Sequence, residues 1–130
     1  MELSEKNRFL IFWSVLGAVA FLIIWNLPWR FQVNDDVIMM WLVSGAYTGE
    51  PESYAVFIHP LLSWGLSELY LIQPEIPWYG AAWFLILASS SFMLLVRISE
   101  LNGSIPLRAF LAFFILTISL HFGMFPQFTL

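Results

Sequence analysis

The feature that most constrains this chain is Phe9 to Pro28, an apolar run without a single Asp, Glu, Lys or Arg. A helix needs about 20 such residues to cross the hydrocarbon of a bilayer. Tyr79 to Val96 repeats the pattern, again with no charged residue. Of all 130 residues only 11% are charged, where a soluble domain carries about a quarter. That leaves too few polar side chains to cover a globule in water, so the expected solvent is the membrane. The alternative for the first run is a secretory signal. Its apolar core is too long for one, and no small-x-small cleavage site comes before Trp29-Arg30.

In chain order, a polar leader with Glu2, Glu5, Lys6 and Arg8 precedes the first span, expected over 9–28. Trp25, Trp29 and Arg30 suit its far interface, where aromatic rings and long cations settle. A different helix is expected over 34–48. Asn34 suits an N-cap, and Asp35 and Asp36 fall in the first turn, where the helix dipole favours negative charge. Val37, Met40, Trp41 and Ser44 share one side of it, with Met39, Leu42, Val43 and Ala46 on the other. About 15 residues are too few to span, and two carboxylates resist hydrocarbon, so this helix is expected in the membrane interface.

Gly49-Glu50-Pro51-Glu52 reads as a turn. The second span is expected over 55–72, with Pro60 near its start and His59, Ser63, Ser67 and Tyr70 forming one polar stripe. Such a stripe should face other helices or a cavity, with Glu68 beside it. Spans over 79–97 and 105–123 follow, the first with Ser89-Ser90-Ser91 for close packing. The expected architecture is thus all-α: one polytopic membrane domain over 1–130, with about four transmembrane helices and one interfacial helix after the first span. Charge gives a conflicting topology. Lys6 and Arg8 put the N-terminus in the cytoplasm, yet four spans put Arg97 and Arg108 outside. A re-entrant 55–72 segment would remove the conflict.

Several chemistries are excluded. Without cysteine there is no disulfide, thiolate nucleophile or Cys-based zinc site. Without a basic patch, nucleic acid is not an expected partner. The sharpest candidate is Asp35-Asp36: carboxylates just outside a membrane helix can bind a divalent cation or take a proton from an attacking hydroxyl. Helix-start electrostatics is the competing account and needs no chemistry. His59 is a candidate for orienting an anionic head group; packing at a helix start is its plainer role. Glu68 is a candidate because acids inside spans are expensive; pairing on another helix is its plainer role. Arg97 and Arg108 flank one loop and suit either a lipid phosphate or snorkelling anchors.

The order of these features resembles the N-terminal part of GT-C-type membrane glycosyltransferases, relatives of protein mannosyltransferases and of lipid A aminoarabinose transferases. In that family an Asp-Glu pair opens the first outer loop and a His-Pro-Pro-Leu-like motif opens the second helix. Here Asp35-Asp36 stands at the first and His59-Pro60-Leu61 at the second. The string Asn34-Asp35-Asp36-Val37, Ser44 to Gly49 and Trp78-Tyr79 looks like a bacterial branch of this type. The resemblance implies transfer of a sugar from a polyprenyl-phosphate carrier to an extracytoplasmic acceptor at the bacterial cytoplasmic membrane. It implies catalytic roles for Asp35 and Asp36, a Mg or Mn ion held by them, and substrate contacts from His59 and Glu68. Two departures are an Asp in place of the family's Glu, and an end after about four helices. The resemblance therefore implies the front part of a larger fold, inactive alone.

Two other classes stay open at this stage. One is a small non-enzymatic membrane protein that self-associates or packs with a partner through a Ser63/Ser67/Glu68 face. The other is a small transporter protomer resting on Glu68 alone.

Overall fold

The computed structural model describes residues 4–27, 34–56 and 58–125. Five helices follow one another: α1 Glu5–Trp25, α2 Asn34–Ser44, α3 Pro60–Ile72, α4 Trp78–Glu100 and α5 Ile105–Met124. There is no strand among the described residues. Three helices, α1, α4 and α5, are long and apolar enough to cross a membrane, as an integral membrane protein requires. That is one fewer than the four expected. The end of the first span at 28 and the anchors Trp29 and Arg30 lie outside the described residues.

The chain divides into two units. The first takes α1, α5 and α4 from Phe84 onward. Its helices start where capping chemistry allows: Ser4 accepts a hydrogen bond from the Asn7 N–H, and Ser104 caps α5 ahead of Pro106. α1 approaches α5 closely at Gly17, where a methyl would sit 3.0 Å from Leu116 Cδ2. Leu95, Ala112 and Leu116 are buried there, with Phe9, Leu10 and Trp13 packed against them. Of the three serines expected to aid packing, Ser91 does so. Its Oγ lies 2.7 Å from Ser119 Oγ and bonds the α4 turn to α5, while Ser89 and Ser90 are exposed.

One end of this unit holds the charges. Lys6 pairs with Glu100 at 3.1 Å, and Arg108 pairs with Glu5 while lying over the Phe9 ring. The start of α1, the end of α4 and the start of α5 therefore meet at one level. This bears on the number of crossings, for which only three of the described helices are long and apolar enough. From the start of α1 to the start of α5 the chain must cross an even number of times, which α1 and α4 alone supply. A crossing by α3 would carry Arg108 to the far side from Glu5. The conflict of basic residues goes with it, since Lys6, Arg8, Arg97 and Arg108 then share a side.

The second unit holds α2, α3 and α4 through Trp83. α3 is the corrected span: it has 13 residues and starts at Pro60, with His59 as N-cap. At 1.5 Å per residue that is about 20 Å, short of a bilayer core. Ala55, Val56 and Ile58 do not extend it, because the chain doubles back. The Ala55 N–H donates to Ser63 Oγ at 2.8 Å, a contact that a continuous helix forbids. α2 ends at Ser44 rather than near 48, where Gly45 takes a positive φ of 77°. It opens at Asn34, whose side chain is outside the described residues. Its inward side is that of Met39 and Val43, which pack with Ala55, Leu66, Tyr70 and Tyr79.

Candidate functional site

Neighbouring residues on a helix project about 100° apart, so two adjacent acids at the start of α2 cannot face the same way. Asp36 shares its face with Met39 and Val43, at spacings of three and seven, and is drawn in with them. It is fully buried. Asp35 is exposed.

A carboxylate without contact to water needs donors. The Tyr79 hydroxyl donates to Asp36 Oδ1 at 2.9 Å, and Trp83 bonds the same phenol. Tyr79 is held in turn, because its backbone N–H donates to the Tyr70 hydroxyl at 3.0 Å. Burial pushes the Tyr70 phenol above its ordinary pKa, and the hydrogen bond from Tyr79 pulls the other way. Tyr70 thus stays a neutral acceptor through the physiological range. The turn before α4 is fixed by the Trp78 indole, which donates to the Gln73 carbonyl at 2.9 Å. The first turn of α4 carries Tyr79 to Asp36, and α3 carries Tyr70 to Tyr79.

The polar stripe on α3 behaves as its spacing implies in part. Ser63, Ser67 and Tyr70 are all buried. Ser63 caps the Ala55 N–H, and Ser67 donates to the Trp64 carbonyl at 2.8 Å. His59 is exposed, and its Nδ1 accepts the Leu61 N–H at 3.3 Å. Glu68 is exposed and lies on the opposite side of α3 from the buried stripe. Of the four candidate residues, then, only Asp36 belongs to the buried network. Asp35, His59 and Glu68 all face outward.

Sequence reasoning missed Tyr79, which read as the first residue of a span, and Tyr70, which read as one member of a stripe. Fitness for a cation is limited by the same geometry. Asp36 is buried on Tyr79 and Asp35 faces away, so the pair offers no shared donor set. No group of three His, Cys, Asp or Glu that could hold a metal occurs among the described residues.

No family model, curated protein or solved structure matches this chain. What the fold defines is a class: among the described residues, an all-helical architecture with three helices of membrane-spanning length and a short-helix unit between the first and second of them in sequence. The site adds a pair of acids, one locked inside that unit and one presented outside it.

Proposed function

We propose that this chain is a segment of a GT-C-like glycosyltransferase at the extracytoplasmic face of a bacterial cytoplasmic membrane. The observation that carries the reading is the split pair. Asp36 fixes the first turn of α2 through Tyr79, and Asp35, on the same turn, is left exposed. A base must be both held and reachable, and one acid does each job. Asp35 is the catalytic residue in this reading, and Asp36 a positioning residue. Asp35 takes the proton of the acceptor hydroxyl as that oxygen attacks the anomeric carbon. The bond from that carbon to the carrier phosphate breaks, and polyprenyl phosphate leaves with the electron pair. His59, exposed at the start of α3, would in this reading meet the donor's phosphate. No step is routed through a Mg or Mn ion, since the pair does not form a joint site. In this reading α2 lies in the interface.

The test uses native membranes carrying the protein and a panel of polyprenyl-phosphate sugars. Asp35→Asn is expected to slow release of polyprenyl phosphate by about 100-fold or more. Thermal stability should stay within about 0.5 kcal/mol, because Asp35 is exposed. Unchanged release would remove the role.

A second reading, a non-enzymatic membrane protein that packs with a partner, is favoured by the outer face of α3. The Ser63/Ser67/Glu68 face expected for it does not exist as a unit, because both serines are buried and Glu68 points the other way.

A further inference from the structure

The outward side of α3 carries Leu61, Trp64, Glu68, Leu71 and Ile72, which recur at i, i+3, i+7, i+10 and i+11. They form one stripe along the helix. The four apolar side chains are between 55% and 79% exposed, and Glu68 is exposed at their centre. Gly65 lies beside Glu68, and a methyl added there would meet nothing within 4 Å. Among the described residues, Glu68 has no hydrogen bond or ion pair.

This pattern suits neither simple solvent. Water would leave four large apolar groups uncovered, and hydrocarbon would leave a carboxylate uncompensated. Nor does the stretch from α2 to the first turn of α4 supply a counter-charge. From 34 to 83 the sequence has six acids, Asp35, Asp36, Glu50, Glu52, Glu68 and Glu75, and no Lys or Arg. A second copy of α3 would set Glu68 against Glu68. We propose that this face docks a helix of another membrane protein that carries one basic side chain opposite Glu68. The apolar flanks give contact area, the open space over Gly65 lets the backbones approach, and the cation neutralises the acid. The inference needs nothing of Asp35 and stands apart from the transfer reading.

The probe is a pair of synthetic Leu/Ala helices of about 18 residues, one with a central Lys and one with Leu there. Full-length protein in phosphatidylcholine nanodiscs carries a fluorophore on Ser53→Cys, the chain having no other cysteine. Energy transfer to the labelled peptide gives the affinity. The Lys peptide should bind about tenfold tighter than the Leu peptide. Glu68→Gln should bring the two within twofold, and Leu71→Ala should weaken both alike. Glu75→Gln, an exposed acid off this face, should leave the preference intact. No preference in the unaltered protein, a preference that survives Glu68→Gln, or equal loss with Glu75→Gln would overturn the proposal. So would self-association that excludes the peptide, since that assigns the face to a second copy.

Discussion

Asp36→Ala should destabilise the α2–α3 unit by about 2–4 kcal/mol, while Asp35→Ala, one residue earlier, should cost less than about 0.5 kcal/mol. The two side chains are alike in chemistry and differ only in direction. Removing Asp36 takes away the acceptor at 2.9 Å from the Tyr79 hydroxyl and opens a void beside Met39 and Val43, where no water reaches. Removing Asp35 exposes nothing that was covered. Protease cleavage in the Gly45–Tyr54 connection, followed against temperature in detergent, reads the difference. Tyr79→Phe should cost a comparable amount by leaving Asp36 short of a donor. The double variant should cost less than the sum, because both singles break the same bond.

Gly45→Ala should be the most damaging glycine substitution, at about 3 kcal/mol or more. Two effects coincide there. The φ of 77° disfavours any side chain, by about 1–2 kcal/mol. An added Cβ would also stand 2.7 Å from the Glu50 carbonyl carbon and the Pro51 nitrogen, and backbone cannot swing aside. The displaced segment carries the Glu52 N–H that donates to the Leu42 carbonyl, so the C-terminal end of α2 loosens with it. Gly49 is the internal control. Its φ of 89° carries the same conformational cost, but the space beside it is open, so Gly49→Ala should lose only about 1–2 kcal/mol. The same cleavage assay measures both.

The membrane helices were legible because their signal is local. An uncharged run of sufficient length needs no information from elsewhere, and α4 and α5 fall within three residues of their expected bounds. The failed span shows the opposite case. Ala55 to Ile72 is as apolar as its neighbours, and hydropathy cannot register that the Ala55 N–H folds back onto Ser63. Pro60 was the one local sign, and it marks the true start of α3. At the acid pair the sequence reported a helix start but not its rotation. The phase was nonetheless present in the spacing of Asp36, Met39 and Val43. Glu68 was likewise placed beside the serine stripe, although five residues from Ser63 turns it about 140° away. Tyr79 could not be found from its neighbours at all, since its bond to Asp36 joins residues 43 apart.

The central claim is that α3 does not cross the membrane, so that the described residues make three crossings and the starts of α1 and α5 share a side. The direct measurement is labelling of single-cysteine variants at three exposed positions, Ser4→Cys, Ser53→Cys and Asn102→Cys, with an impermeant maleimide in right-side-out and inverted vesicles. Three crossings predict that positions 4 and 102 react from the cytoplasmic side and position 53 from the other. Labelling of positions 53 and 102 together, opposite to position 4, would contradict it.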